Sequence, residues 1–231
     1  MSETILKFEF IKKIFSGEDA IDFTALNNIN LTIEKGEFIG LSGKSGSGKT
    51  TLLNIAGLID SPTAGNLYFK GTNTKNITDD ELSSIRAKEI GYIFQTFNLL
   101  PLLSALENVE YPLMLLGMPE DERMQRAKQA LELVGLGSFI HFKPSQLSGG
   151  QRQRVAFARA IVKKPSIILA DEPTANLDTK TSDEIFNLLA ELQAKLQITV
   201  ILCSHDDDLI AKTKRKIKIS DGQIVDNFVG A

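Results

Sequence analysis

The sequence has 231 residues, of which 42% are hydrophobic and 24% are charged. A chain of this length and hydrophobic content supports one large folded domain with a packed core, and it excludes a largely disordered protein. The formal net charge of −3 provides no overall basic field, so nucleic-acid binding is not expected. No run of about 18 consecutive apolar residues occurs, so no membrane-spanning segment is predicted.

Cysteine content and the N-terminal segment indicate the cellular compartment. Cys203 is the single cysteine, which excludes an intrachain disulfide, and its apolar neighbours at 200–202 predict a buried thiol in a reducing environment. The N-terminal segment carries Glu3 and Glu9 and lacks the apolar core of a signal peptide. A cytoplasmic location is therefore expected.

A glycine-rich segment, GKSGSGKT at residues 43–50, is the strongest functional signal. It lies between a strand-like apolar run at 38–41 and a helix-like run at 51–57, which is the context of a phosphate-binding loop. Its glycines allow backbone N–H groups to approach a polyphosphate closely, and the helix N-terminus favours the negative charge. Lys49 is expected to reach the outer phosphates. The Thr50 hydroxyl is expected to bind Mg²⁺, which prefers oxygen ligands.

Alternating apolar and polar residues predict two strands upstream of this loop. Residues 4–10 (TILKFEF) and 29–33 (INLTI) have the period of half-buried strands, and SGED at 16–19 predicts a turn between them. The pair indicates an antiparallel sheet beside the phosphate-binding loop. Phe15 lies in this region, and its ring is expected either to stack on an adenine ring or to pack in the core.

The segment after the loop's helix supplies another candidate ligand of Mg²⁺. A short strand at 66–69 and a helix that begins with the capping box Thr78–Glu81 come first. EIGYIFQ, residues 89–95, then predicts a buried strand ending in Gln95. The side-chain carbonyl of Gln95 is expected to reach Mg²⁺ or a water molecule, whereas simple solvation of a strand end is the alternative.

Helical periodicity replaces the strand pattern over residues 98–154. Apolar residues recur at helical spacing in 102–116, in 120–134 and again after Ser148, which predicts a helical insertion. Prolines are expected at the ends of these helices rather than in their interiors, namely Pro101, Pro112, Pro119 and Pro144.

The segment LSGGQ, residues 147–151, predicts a second anion-binding helix start. Ser148 is a favourable N-cap, and Gly149 and Gly150 leave backbone N–H groups free to meet an anion. An ordinary serine and glycine cap is the alternative in isolation.

Two adjacent carboxylates follow the next predicted strand. IILA at 167–170 is a buried apolar run, and Asp171 at its carboxyl end is expected to hold the hydrated Mg²⁺. Glu172 points to the other side and is expected to orient and deprotonate a water molecule. Exposed acidic pairs are common at turns, so this assignment depends on the phosphate-binding loop.

The last part of the chain predicts a helix, a strand and a hairpin. The helix covers 181–196 and the buried strand 199–203, after which His205 is expected either to bond a γ-phosphate or to cap or pack. Segments 215–219 and 223–225 predict a terminal hairpin. A basic cluster is expected to be a solvated face near an edge strand, and it comprises Lys212, Lys214, Arg215, Lys216 and Lys218. His141 has no motif around it and is expected to be structural.

The order of these motifs resembles the ATPase subunit of an ABC (ATP-binding cassette) transporter. The resemblance covers almost the whole chain and rests on GKSGSGKT, Gln95, LSGGQRQR, IILADEPT, Asn176-Leu177-Asp178 and Ser204-His205-Asp206. The run FQTFNLLPLLSALENVEYPL, residues 94–113, is similar to the LolD and MacB type, which serves lipoprotein release and macrolide or antimicrobial-peptide export.

The resemblance implies an α/β fold with a P-loop NTPase core. The core contains a mostly parallel sheet, an antiparallel β subdomain and an inserted α-helical subdomain. Residues 1–95 and 155–231 are expected to form the core within a single ABC ATPase domain, and residues 96–154 the helical subdomain.

The resemblance also implies the site residues. Nucleotide binding is expected from Phe15, Gly43, Lys44, Ser45, Gly46, Ser47, Gly48, Lys49, Thr50, Thr51, Ser148, Gly149, Gly150, Gln151 and Asp178. The expected catalytic residues are Lys49, Gln95, Glu172 and His205, and the expected Mg²⁺ ligands are Thr50, Gln95 and Asp171. In a head-to-tail homodimer, one subunit supplies the phosphate loop and the other supplies LSGGQ to the same γ-phosphate.

The implied function is ATP hydrolysis that drives a membrane permease. ATP and Mg²⁺ are the expected substrate and cofactor, and the partners are integral membrane permease subunits that hold the protein on the cytoplasmic side of the inner membrane. The transported substrate is expected to be a lipoprotein, peptide or macrolide-like molecule. A soluble ABC-type ATPase acting on DNA or the ribosome is the alternative, although such proteins usually carry coiled-coil or zinc-bearing insertions or a second cassette.

Overall fold

The computed structural model describes residues 3–16 and 22–230. The strands are β1 Thr4–Ser16, β2 Asp22–Glu34, β3 Phe38–Ser42, β4 Ala64–Phe69, β5 Thr72–Asn73, β6 Ile90–Ile93, β7 Ile167–Asp171, β8 Thr199–Cys203, β9 Arg215–Ser220 and β10 Gln223–Val229. The helices are α1 Lys49–Ala56, α2 Asp79–Glu89, α3 Ala105–Leu115, α4 Glu120–Leu133, α5 Gly149–Ile161, α6 Thr179–Leu196 and α7 Asp207–Ala211.

The N-terminal strands form the expected antiparallel sheet, in the order β2-β1-β4-β5. β1 and β2 extend well beyond the predicted runs at 4–10 and 29–33, because register shifts along their pairing let them remain paired across irregular positions. Residues 17–19 of the predicted turn lie outside the described part of the chain. The sheet places the first part of β2 beside the phosphate loop, where Ala25 and Leu26 lie next to Gly48.

The second sheet has the order β10-β9-β3-β8-β7-β6, and only β10 runs antiparallel to its neighbour. The carboxyl ends of the parallel strands therefore meet at one edge, which is where α/β sheets bind ligands. β9 lies next to the edge strand β10, and Lys212, Lys214 and Lys218 are exposed, which confirms the predicted solvated basic cluster near an edge strand. Two of its cations are paired, Lys212 with Asp183 and Arg215 with Glu37.

Helices α3 and α4 and the first part of α5 form the predicted helical insertion. Pro112 lies inside α3, so the expectation that prolines mark only helix ends is wrong there. The neighbouring Val109 and Leu113 are fully buried, and their packing keeps the segment helical despite the missing N–H of proline. α5 continues to Ile161, across the expected boundary between residues 154 and 155.

Side-chain caps confirm two of the predicted helix starts. Thr78 and Glu81 form a reciprocal capping box at α2, and Ser148 and Gln151 form another at α5. Within the described residues, no helix combines the length and the apolar composition needed to cross a bilayer.

The buried side chains form two clusters. One joins α3, α4, α5 and α6 to the sheet, and it includes the fully buried Phe157. The other fills the space between the two sheets and α1, and it includes Phe8 and Cys203. Burial raises the pKa of the Cys203 thiol well above its usual value, which confirms the predicted buried cysteine. His141, expected to be structural, is exposed on the helical insertion.

Candidate functional site

Residues 45–50 of the phosphate loop (43–50) line a cavity of about 390 Å³ at the carboxyl edge of the six-stranded sheet. We call it the nucleotide cavity. Gly48 precedes α1 in a left-handed conformation with φ of 103°. A Cβ atom at this position would lie 2.6 Å from the carbonyl oxygen of Ala25, so the loop can pass β2 only as glycine. The N-terminus of α1 therefore opens into the cavity, where it favours an anion.

Lys49 and Ser47 give this loop its polar interior. The Lys49 ammonium donates to the carbonyl oxygens of Gly43 and Lys44 at 2.6 and 3.1 Å, although the residue is only 9% exposed. The Ser47 hydroxyl is buried and has no hydrogen-bond partner among the described residues. A buried unpaired hydroxyl costs free energy, so a ligand oxygen that bonds it stabilises the loop. These groups suit a polyphosphate.

Thr50 and Asp171 place two oxygen ligands side by side. The Thr50 hydroxyl donates to the Asp171 carboxylate at 3.1 Å, between the start of α1 and the end of β7. Burial raises the pKa of Asp171, and the nearby charge of Glu172 raises it further, whereas the Thr50 hydrogen bond and the Lys49 charge oppose the shift. A divalent cation would relieve this unfavourable concentration of negative charge. The donor set therefore fits Mg²⁺, a hard cation that prefers oxygen.

Glu172 and His205 face each other across the same cavity. Their side chains are 2.9 Å apart, from the Glu172 carboxylate to the histidine Nδ1. Glu172 has a left-handed φ of 47°, and its backbone N–H donates to the carbonyl oxygen of Cys203 at the end of β8. This turn brings the Glu172 carboxylate to His205, whereas the Asp171 carboxylate accepts from Thr50, so the two adjacent acids have different partners in the cavity.

Gln95 lies two residues beyond β6 rather than at its tip, and it is one of the residues that line the nucleotide cavity. The Asn176 side-chain amide donates to the backbone carbonyl oxygen of Gln95 at 3.0 Å. The next residues, Phe97 and Asn98, both have positive φ angles, and the Arg159 guanidinium on α5 donates to their carbonyl oxygens. Gln95 is thus held by a constrained segment between the core and α5.

The structure brings together most of the residues predicted to bind the phosphates and Mg²⁺ and to catalyse hydrolysis. Those that line the nucleotide cavity are Ser45, Gly46, Ser47, Gly48, Lys49, Thr50, Thr51, Gln95, Asp171, Glu172 and His205. Gly43 and Lys44 do not line it, but their carbonyl oxygens hold Lys49.

Phe15 is not among the residues that line the nucleotide cavity, so the structure does not bring it to the predicted position; its stacking role stays a prediction. The cavity wall contains Phe23 instead, together with Ala25, which is also on β2. The sequence reasoning missed Phe23 because it began this strand at residue 29. No period-two signal leads back to it, because Asn27 is polar and the pairing register shifts between Ile29 and Leu26.

The remaining predicted residues line a different cavity, of about 360 Å³, which we call the signature cavity. It is lined by Ser148, Gly149, Gly150, Gln151 and Asp178, among others. The two cavities share no lining residue. One chain therefore carries both sets of predicted groups but does not bring them into one site.

Close packing explains the glycines of the signature cavity. A Cβ atom on Gly150 would lie 2.8 Å from the Thr181 methyl group, and one on Gly149 would lie 3.1 Å from Leu177. The start of α5 therefore packs directly on the segment that begins α6. Asp178 caps α6 through Thr181, and these hydrogen bonds lower the pKa of the Asp178 carboxyl. Asp178 is consequently ionised beside the N-terminus of α5.

Comparison with known protein families gives one match over most of the chain. Residues 26–175 match the model of the family described as "ABC transporter". This range includes the phosphate loop, Gln95, the segment LSGGQ and both adjacent carboxylates.

Curated relatives include stand-alone and fused proteins. The chain is 49% identical over 202 residues to the uncharacterized ABC transporter ATP-binding protein MJ1508 of Methanocaldococcus jannaschii, covering 87% of this chain and 90% of that protein. It is 44% identical over 225 residues to the macrolide export ATP-binding/permease protein MacB of Hyphomonas neptunium. That match covers 97% of this chain and 35% of the relative, so the chain spans about a third of the fused protein's length.

Solved structures share the fold across almost the whole chain. The ATP-binding cassette MJ0796, in a dimeric post-hydrolysis state bound to ADP and Pi, superposes with a TM-score of 0.88 at 43% identity, covering 97% of this chain and 98% of that one. CbiO1 from Clostridium perfringens, described as part of the ABC transporter complex cbiONQ, superposes with a TM-score of 0.87 at 30% identity, covering 97% and 88%.

Proposed function

Because the chain belongs to the ABC transporter family and hydrolyses ATP to ADP and phosphate, we propose that it powers a partner membrane permease. The permease exports or releases a lipoprotein, a peptide or a macrolide-like substrate. The names of fused relatives support this proposal, since they include macrolide export and syringafactin export ATP-binding/permease proteins at 44% and 45% identity. The protein then works on the cytoplasmic side of the inner membrane, attached through the permease.

The division of the site between two cavities is the observation that carries the proposal. The nucleotide cavity holds the groups for phosphate binding and hydrolysis, whereas Ser148, Gly149 and Gly150 line the separate signature cavity. A second copy that rotates head to tail would place its signature cavity over the nucleotide cavity of the first. The dimeric state of the related cassette MJ0796 supports this arrangement. Hydrolysis is then coupled to closure of two subunits, which is a movement that a permease can use.

Within the closed site, the chain's own residues divide the work. Lys49 and the N-terminus of α1 bind and orient the phosphates, and Glu172 accepts a proton from the attacking water. In its doubly protonated form, His205 donates one ring N–H to the Glu172 carboxylate and the other to the γ-phosphate. Thr50, Asp171 and Gln95 would hold Mg²⁺, whose charge offsets that of the phosphates. Donors from the partner's LSGGQ segment complete the stabilisation of charge on the transferred group.

An exposed apolar surface on the helical insertion supports the permease as partner. It is formed by exposed residues of α3 and of the chain between Gln95 and α3, namely Leu100, Leu102, Tyr111, Met114 and Leu115. Leu102 is 80% exposed and Leu115 is 65% exposed. Side chains of this size on a surface mark a contact for another protein. A short cytoplasmic helix of the permease docks here, next to Gln95, so that its position senses nucleotide.

Co-purification tests the proposal. The tagged protein is expressed in its own cells, the membranes are solubilised in detergent, and the bound proteins are identified by mass spectrometry. We expect one integral membrane permease in stoichiometric amounts, and Leu102→Ser with Leu115→Ser should release it while ATP binding remains normal. Recovery of DNA or ribosomes in place of a permease would contradict the proposal and support the soluble alternative.

A further inference from the structure

We propose that a cavity at the ends of α4, α5 and α6 binds a small amphiphile with an apolar chain and an anionic head group, such as a medium-chain fatty acid. The cavity has a volume of about 270 Å³, and we call it the junction cavity. It shares no lining residue with the nucleotide cavity or the signature cavity. The site goes beyond the proposed function, because its ligand is neither the nucleotide nor the permease.

Three helices end around the junction cavity. Leu133 is the last residue of α4, Ile161 the last of α5 and Leu196 the last of α6, and all three line the cavity. α4 belongs to the helical insertion, whereas α6 leads into strand β8 of the core sheet. The junction cavity therefore lies where the helical insertion meets the core.

The interior of the junction cavity is apolar. Ile161, Val162 and Ile198 line it, and each is at most 6% exposed. Leu133 and Leu196 also line it and are each 38% exposed, so an apolar chain in the cavity would remove leucine surface from water.

The size of the junction cavity sets the length of the chain. A volume of about 270 Å³ holds about nine groups of the size of a water molecule, which takes about 30 Å³ in the liquid. A methylene group is of similar size. The cavity therefore fits a chain of about eight or nine carbon atoms.

The charged side chains of the junction cavity are complementary to an anionic head group. Arg126 and Lys164 line it, and no acidic residue in the described part of the chain does. Arg126 donates to Glu122 at 2.6 Å through one nitrogen, but a guanidinium carries five N–H donors, so others remain for a ligand. Gln129 adds a side-chain amide. Cations beside an apolar interior favour a ligand that ends in a carboxylate or a similar anion.

The ends of α5 and α6 are capped, which limits their repulsion of an anion. Free carbonyl groups at a helix end carry about half a unit of negative charge. Here the Ile161 carbonyl oxygen accepts from the Lys164 N–H at 2.8 Å, and that of Ala194 accepts from the Gln197 side-chain amide at 2.7 Å. The first bond holds Lys164 in a left-handed conformation with φ of 55°, so the backbone of this cation is fixed beside the cavity.

Calorimetric titration of the full chain with fatty acids of increasing length, below their micelle concentrations, tests the proposal. We expect affinity to rise roughly fourfold with each buried methylene group and to stop rising at about eight or nine carbon atoms. Octanol, which has no charge, should bind at least about fivefold more weakly than octanoate. Methyl NMR should show octanoate-dependent shifts at Leu133 and Leu196, which locates the ligand.

Lys164→Gln tests the role of charge. It should weaken octanoate binding about fivefold, as expected for an exposed ion pair, and leave octanol binding unchanged. Lys128→Gln is the matched control, because it removes the same charge from an exposed residue of α4 that does not line the cavity. It should bind octanoate normally.

Several results would overturn the proposal. Absence of saturable octanoate binding would exclude the site. Affinity that keeps rising with chain length and is the same in Lys164→Gln and Lys128→Gln would indicate non-specific association with the surface. Equal binding of octanol and octanoate would exclude recognition of an anion. Competition between octanoate and ATP would place the fatty acid in the nucleotide cavity instead.

Discussion

Glu172 combines an uncommon backbone conformation with a partner that holds its side chain. Its φ of 47° is rare for a residue with a long side chain, and the hydrogen bond from its N–H to the Cys203 carbonyl fixes the turn. His205 holds the carboxylate at 2.9 Å. Such local strain is kept where the surrounding structure enforces it, and here it brings the Glu172 carboxylate to His205.

Glu172→Gln should abolish turnover without abolishing binding. The amide keeps the shape of the side chain but does not accept a proton from water, so we expect the ATPase rate to fall at least about a hundredfold. ATP affinity should remain within a few-fold, because Lys49 and the loop are unchanged. With ATP bound and not hydrolysed, the protein should accumulate as a dimer, which light scattering measures.

Glu191→Gln provides the control, because Glu191 is an exposed glutamate on α6 and lines neither cavity. It should hydrolyse ATP at the normal rate and stay in the same oligomeric state as the unsubstituted protein. A normal rate in Glu172→Gln would show that another group accepts the proton.

The sequence predicted the site residues that follow buried strands. It did not predict residues whose position depends on the register of two paired strands. Asp171 and His205 follow buried apolar runs, and parallel strands bring their carboxyl ends together in any sheet of this kind. Phe23 reaches the cavity only because β2 extends to Asp22 and pairs in one register with β1. That register depends on contacts between distant segments, which local sequence patterns do not contain.

At the scale of elements, side chains from α2 and β6 hold the end of α1. The Tyr92 hydroxyl donates to the carbonyl oxygen of Gly57, and the Arg86 guanidinium donates to that of Leu58 at 2.7 Å. These donors satisfy carbonyl groups that the helix end leaves free. The helix that begins at the phosphate loop is therefore fixed at its other end to the strand that leads to Gln95.

Gly57→Ala should destabilise this junction. A Cβ atom at residue 57 would lie 1.8 Å from the Tyr92 hydroxyl oxygen, so one of the two elements must move. Overpacking of this kind typically costs about 1–3 kcal/mol of unfolding free energy. Backbone strain does not contribute, since Gly57 has a φ of −85° that alanine adopts readily. Urea denaturation measures the loss.

The double variant Gly57→Ala with Tyr92→Ala separates the clash from other effects. Once the phenol is absent, adding the methyl group should cost little, so the two changes should be strongly non-additive. Gly137→Ala, where a Cβ would meet only the flexible Glu132 side chain at 3.3 Å, should be nearly neutral. Additive losses in the double variant would show that the Gly57–Tyr92 contact is not the cause.

Element types followed from the sequence more reliably than element boundaries. Period-two and apolar runs located the central strands of both sheets, and cap residues located the starts of α2 and α5. The prediction for Pro112 was wrong because buried neighbours in α3 outweigh one missing hydrogen bond. The long β1 was underestimated because its irregular positions break the alternation that the prediction used.

At the scale of the whole molecule, the proposed dimer uses each chain in two sites. Lys49 and Glu172 act in the chain's own nucleotide cavity, whereas Ser148 acts in the cavity of the partner. Variants that damage different halves should therefore complement each other when mixed, and variants that damage the same half should not.

Mixing Lys49→Ala with Ser148→Arg tests this arrangement. Each variant alone should be inactive, but a mixed dimer retains one intact site. That site combines the nucleotide cavity of the Ser148→Arg chain with the signature cavity of the Lys49→Ala chain. With random pairing and independent sites, the equimolar mixture should regain up to about a quarter of normal ATPase activity. Activity is measured by phosphate release.

Mixing Lys49→Ala with Glu172→Gln is the control. Both substitutions lie in the nucleotide cavity, so neither site of a mixed dimer is intact and no activity should return. Recovery in this control, or none in the first mixture, would contradict the shared site.

The length of α5 has a mechanical consequence. Its 13 residues span roughly 20 Å at about 1.5 Å per residue, from the signature segment at one end to the chain that enters β7 at the other. A tilt of about 5° around the Ile161 end would therefore shift Ser148 by nearly 2 Å, by simple leverage along a rod of this length. Misplacement by about 1 Å can slow an enzyme a hundredfold. A slight tilt of this one rigid helix would therefore be enough to turn ATP hydrolysis on or off.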